Sequence, residues 1–156
     1  MQKRFILALA LAIPASAFGF SSQDKALDVS RAFSEQKTRI HADLADGETY
    51  SEISQQDIAS VKGALERISI KLEQPGGLEG MNDAGKAALF NDQELVNNIL
   101  TKAGKDSRVV CVREKKLGSH RTTSNCMTVG ERARRSEDSQ KAMRDNMGLK
   151  MPPPGG

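Results

Sequence analysis

The chain has 156 residues, 38% of them hydrophobic and 28% charged, with a formal net charge of +3, two cysteines, one Tyr and no Trp. That composition supports one mostly helical domain with a thin core and mobile ends. It excludes a surface of stacked aromatic rings for nucleic acid, because the basic half has no aromatic residues to build one.

The first residues, Met1-Gln-Lys-Arg, carry two positive charges. A continuous apolar run, residues 5–13, follows, then Pro14 and the small-x-small sequence Ala15-Ser16-Ala17. This is the three-part layout of a secretory signal, with an apolar run too short to span a bilayer. We expect residues 1–17 to be a signal peptide cleaved after Ala17, leaving Phe18 first. No cysteine near that site offers a lipid attachment point, and no second run of spanning length follows. The mature protein is then expected in the periplasm or outside the cell, where thiols oxidise.

Residues 18–104 form the helical region. Residues 23–45 read as a helix with Leu27, Phe33, Ile40 and Leu44 along it, ended by Asp46-Gly47. Residues 54–74 read as the second. Ser54-Gln55-Gln56-Asp57 resembles a capping box with Asp in the usual Glu place. Ile58, Val61, Leu65, Ile68 and Leu72 then make one narrow stripe. That stripe suits an intramolecular core, with a homodimer as the other use of the same face. Pro75-Gly76-Gly77 stops this helix. Residues 82–103 read as the third helix, apolar at Leu89, Val96, Ile99, Leu100 and Ala103, with a break allowed near Asn91 and Gly104 placed as a C-terminal cap.

Residues 105–128 hold both cysteines, Cys111 and Cys126. Their midpoint falls between Gly118 and Ser119, a Gly-X pair suited to a two-residue turn. Pairing outward matches Leu117 with His120, Lys115 with Thr122, Arg113 with Ser124 and Cys111 with Cys126. Turn and staple thus predict one register. Counting from that turn puts the cysteines at a hydrogen-bonded pair. Val110, Val112 and Met127 fall on one face; Cys111, Arg113, Lys115, Thr122 and Ser124 fall on the other. The expected fold class is therefore mainly α with one small disulfide-stapled β-hairpin.

Residues 129–148 read as an exposed helix, opened by the capping box Thr128-Val129-Gly130-Glu131. Its four-residue spacings pair Glu131 with Arg135, Arg134 with Asp138 and Glu137 with Lys141. Residues 149–156, rich in Pro and Gly, read as an extended or disordered tail.

Charge is segregated. Residues 18–104 hold nine Lys/Arg against 14 Asp/Glu, a net of −5. Residues 105–156 hold 12 Lys/Arg against six Asp/Glu, a net of +6. The two halves could attract each other, or the basic half could meet an anionic partner. The hairpin tip gathers the candidate partner-binding residues: Arg113, Lys115, Lys116, His120 and Arg121 around Gly118-Ser119. A solvated tip that discourages edge-to-edge aggregation is the competing explanation.

Catalytic and metal signatures are missing from the sequence. His41 and His120 are the only histidines, and neither stands at metal-ligand spacing. There is no Gly-rich phosphate loop, nucleophile elbow or zinc-protease helix. We expect no cofactor and no catalytic set.

The stretch running from Asp106-Ser-Arg-Val-Val-Cys-Val-Arg-Glu-Lys-Lys-Leu-Gly-Ser-His-Arg to Asn125-Cys126-Met-Thr resembles a pattern in small exported proteins of Gram-negative bacteria. There a Cys, a basic Arg-Glu-Lys segment, Gly-Ser-His or Gly-Ser-Arg, and a second Cys followed by Thr recur. The resemblance covers residues 106–135, with Phe90-Asn-Asp-Gln-Glu upstream. It implies export and the motif as a unit, and it brings no activity with it. The functional expectation is a non-enzymatic envelope protein that presents a basic hairpin to an anionic envelope component or another exported protein. The alternatives are an inhibitor or regulator of an exported enzyme, and a small envelope hydrolase.

Overall fold

The computed structural model describes residues 26–115, 117–118 and 121–147. Residues 1–17, expected to be a signal peptide, and residues 149–156, expected to be a tail, lie outside them. In chain order the elements are α1 (Phe33–Ala45), α2 (Gln55–Leu72), α3 (Gly77–Gly80), α4 (Asp83–Asp106), β1 (Val109–Lys115), β2 (Thr122–Thr128) and α5 (Val129–Asn146). The fold is mainly helical, with one antiparallel hairpin closed by a Cys111–Cys126 disulfide.

The stripe of α2 makes the core. Val61, Leu65 and Ile68 are fully buried against Leu89, Val96 and Leu100 of α4, while Ile58 and Leu72 flank them half-buried. Each such side chain contributes about 1.5–3 kcal/mol by leaving water. The centre of the stripe is thus spent inside the chain, and it cannot also be the face of a homodimer. Ser54 caps α2 as its sequence requires: its Oγ accepts from the Asp57 N–H at 3.0 Å and donates to Asp57 Oδ2 at 2.8 Å.

The first helix is shorter than residues 23–45, and it starts at Phe33. Residues 27–29 have better partners than a helix offers. Asn97 of α4 brackets Leu27, accepting its N–H at 2.7 Å and donating to its C=O at 2.9 Å. Gln93, one turn earlier, accepts the Val29 N–H at 2.8 Å. Leu27 and Val29 are buried outside any helix, 2% and 4% exposed, with Val29 in the turn closed by the Arg31 N–H on the Asp28 C=O at 3.1 Å. Leu27 is therefore core, as its apolar character implies, but not on a helix face.

Helix α4 is unbroken past Asn91, and it runs through Gly104 to Asp106. Asp92, a residue type suited to capping a new segment, is instead 9% exposed and faces α2. Arg67 donates to its Oδ1 from Nε at 3.0 Å and from Nη2 at 2.6 Å, and Lys71 donates to Oδ2 at 3.2 Å. Arg67 and Lys71 are four apart on α2, so both reach the same carboxylate. Burial pushes the Asp92 carboxyl upward, but these two cations outweigh it and the net shift is downward. Gly104 does not cap the helix. Within it, a Cβ at Gly104 would stand 3.6 Å from Cε1 of the buried Tyr50 ring.

The one-turn helix α3 is not legible as a helix in the sequence. Gly76 permits it, at φ +85°, and a Cβ there would meet the Gly80 Cα at 2.9 Å. Among the described residues, no helix is long and apolar enough to cross a membrane.

Candidate functional site

The ribbon is built on its register. Val109 pairs with Thr128, Cys111 with Cys126, Arg113 with Ser124 and Lys115 with Thr122. This is the register predicted from the cysteine spacing. Burial alternates with it: Val110, Val112, Asn125 and Met127 are half-buried, while Cys111, Arg113, Lys115, Thr122, Ser124 and Cys126 are exposed.

The hydrogen-bond phase differs from the one counted outward from a two-residue turn. The Val129 N–H donates to the Arg108 C=O at 3.0 Å, so Arg108–Val129 is a bonded rung. Alternation then makes Val110–Met127, Val112–Asn125 and Glu114–Thr123 the bonded pairs. The cysteines sit at a non-bonded pair, with Cα atoms 4.0 Å apart, where strands come closest. Gly118 has φ +80°, the left-handed backbone a tight reversal needs. Ser119, His120 and Lys116 lie outside the described residues.

Arg113 and Lys115 therefore share the exposed face with the staple. Each stands across from a hydroxyl, Arg113 opposite Ser124 and Lys115 opposite Thr122. Residues two apart on a strand lie about 6.8 Å apart, so the face offers two cation–hydroxyl rungs at that spacing. Neither cation has an ion-pair partner among the described residues. Arg121 is exposed and falls in the opposite phase of the alternation. From Arg113 to Ser124 every described residue is exposed, on both faces.

The base of the ribbon is held by contacts that no local pattern announces. Thr128 caps α5, accepting from the Glu131 N–H at 3.0 Å, and its hydroxyl donates to Glu52 Oε1 at 2.5 Å. Arg134, one turn into α5, donates from Nη1 to Glu52 Oε2 at 2.5 Å. The Glu52 N–H in turn donates to Ser107 Oγ at 3.0 Å. Glu52 lies between α1 and α2, so one side chain ties the bundle to the strand end and to α5. Gly130 makes room for it: a Cβ there would lie 2.9 Å from Glu52 Oε2. The bonds from Arg134 and then Thr128 hold the Glu52 carboxyl below its ordinary value, and Glu52 raises the Arg134 guanidinium. Because Arg134 is taken by Glu52, it does not pair with Asp138. The spacing-based Glu131–Arg135 pair does form, at 2.7 Å. The sequence signals Thr128 and Glu131 through the capping box, but Glu52 lies 76 residues from Thr128 and has no signature.

Among the described residues, no group of three or more His, Cys, Asp or Glu is gathered as metal ligands would be. Comparison with protein-family models, curated proteins and solved structures finds no match to this chain.

Proposed function

We propose that this is an exported, non-enzymatic envelope protein whose helical bundle presents the stapled basic ribbon to an anionic partner. One observation carries the reading. Arg113 and Lys115 project from an exposed ribbon face with no ion-pair partner among the described residues, while Arg134 at the base is paired with Glu52. A pair of unneutralised cations beside hydroxyls attracts oxyanions, and a rigid staple limits the entropy lost on binding. Export after cleavage at Ala17 fits the disulfide, which persists in oxidising compartments. The test is charge reversal at Lys115, Lys116 and Arg121, read as capture of envelope components at several salt concentrations. Capture should weaken with reversal and with salt. Equal capture by the reversed variant would remove the tip as the site. A salt-insensitive, one-to-one complex with a single exported enzyme, lost on trimming Gly118-Ser119, would support the inhibitor reading instead.

A further inference from the structure

The phase of the ladder decides which backbone groups of β1 point away from β2. In an antiparallel pair, bonded residues direct N–H and C=O inward, and non-bonded residues direct them outward. On β1 the outward set is Val109, Cys111, Arg113 and Lys115. Helix α5 packs on β2 and α4, and β1 meets no element as extensively as its partner strand. The hairpin is the whole sheet among the described residues. The outer edge of β1 is thus an open row of donors and acceptors, the arrangement that accepts an added strand.

The side chains on that edge state what the added strand should carry. The residues with outward backbone groups are the same ones whose side chains share the staple face. Arg113 and Lys115 therefore lie directly beside any strand laid along β1, and Val109, 61% exposed, lies at its base end. An extended peptide places alternate side chains about 6.8 Å apart on one face. That is the spacing of the two cations, so carboxylates at alternate positions would each meet one cation across the strands.

We propose that the β1 edge binds an acidic extended peptide segment by strand addition, with alternate Asp or Glu opposite Arg113 and Lys115. This rests on the basic-ribbon reading above and narrows it from an anion to a β-strand of a protein partner.

The test uses the disulfide-intact protein expressed from residue 18 and labelled nine-residue probe peptides. One alternates Glu with Val or Thr, one has the same composition with its Glu residues consecutive, and two are the alternating peptide N-methylated at alternate backbone amides, one in each phase. Fluorescence anisotropy should show the alternating peptide binding at least tenfold more tightly than the consecutive one. N-methylation in the bonding phase should abolish binding, whereas methylation in the other phase should not. Val109→Pro removes one outward N–H without removing a ladder bond or a charge, and it should weaken the alternating peptide about tenfold. If all four peptides bind alike and weaken alike with salt, or anionic lipid vesicles bind as well as the alternating peptide, strand addition is wrong while the basic-ribbon reading stands. If none binds and Arg113→Glu with Lys115→Glu changes no envelope capture, the basic-ribbon reading itself is wrong.

Discussion

Replacing both cysteines, as Cys111→Ser with Cys126→Ser, should free the outer half of the ribbon and leave the bundle folded. The cysteines are 15 residues apart, a loop whose closure is worth about 3 kcal/mol in the chain-entropy model. Outside the staple, the pairs from Arg113–Ser124 to Lys115–Thr122 bury nothing, and an isolated hairpin of that kind is marginal in water. Losing about 3 kcal/mol therefore takes the outer ribbon past its balance point. Below the staple the situation differs. Val110 and Met127 are half-buried, the Arg108–Val129 bond closes the ladder, and Glu52 grips Thr128. Hydrogen exchange reads the two zones separately. The Glu114 and Thr123 amides, inside the ladder by phase, should lose about 100-fold in protection. The Val61, Leu65 and Val96 amides should change little, and so should the urea midpoint of the bundle. If Glu114 and Thr123 keep their protection without the staple, the ribbon has support that its exposure does not reveal. If the bundle amides lose protection equally, ribbon and bundle form one cooperative unit and the reasoning fails.

The Glu52 clasp should be acid-labile. Its carboxyl titrates below the usual range in the fold, so its contribution is complete above about pH 4.3 and lost as pH falls through its lowered value. Thermal melts of wild type and Glu52→Gln should differ by about 1.5 kcal/mol at pH 7, toward the low end for a charge-assisted bond because Arg134 is 60% exposed, and the difference should shrink as pH falls through the lowered Glu52 value. Gly130→Ala should lower the melting temperature despite improving helix propensity, because its Cβ displaces a Glu52 side chain held on both oxygens. Gly63→Ala, whose Cβ meets only Arg67 Nη1 at 3.5 Å, should raise stability by about 0.5–1 kcal/mol in the same assay. Removing Asp92 as Asp92→Asn should cost only about 1–2 kcal/mol by urea titration, since the Arg67 and Lys71 side chains, 52% and 26% exposed, can turn to water. Removing both cations as Ala strands the nearly buried carboxylate and should cost about 3 kcal/mol.

What is legible in the sequence is local or strictly periodic. The α2 stripe, the Ser54 and Thr128 caps and the ribbon register each follow from spacings within a few residues of one another, or from two cysteines with one turn between them. The features that differ are those decided by partners far along the chain. Leu27 looks helical because its spacing to Phe33 and Ile40 fits a stripe, yet side-chain amides of Asn97 and Gln93 hold its segment in a non-helical loop and turn. Asn91 to Glu94 looks like a helix start because Asp92 is a good capping residue, yet two cations on α2 claim that carboxylate inside the helix. The ladder phase differs because Gly118-Ser119 suggests the shortest turn, whereas the Arg108–Val129 bond at the other end sets the alternation. Of the candidate site, Arg113, Lys115, Thr122 and Ser124 are placed on their common face by alternation alone. Glu52, which secures the base, has no pattern around it.

The charge segregation now has a partial physical account. Among the ion pairs of the described residues, Glu52–Arg134 joins the acidic region to the basic one. Four lie within the acidic half, and Glu131–Arg135 lies within α5. Mutual attraction between halves therefore explains the base of the ribbon and little more. The seven residues of β1 extend about 24 Å, roughly three Debye lengths at physiological salt. Arg113 and Lys115 are thus beyond the reach of most carboxylates in the bundle, and Glu114, on the opposite face, is the one carboxylate of β1 set against them. A sequence that needed basic residues only to hold its two halves together would place them where Arg134 stands, at the seam. Placing Arg113 and Lys115 along an exposed strand sets their charge against whatever lies outside the chain.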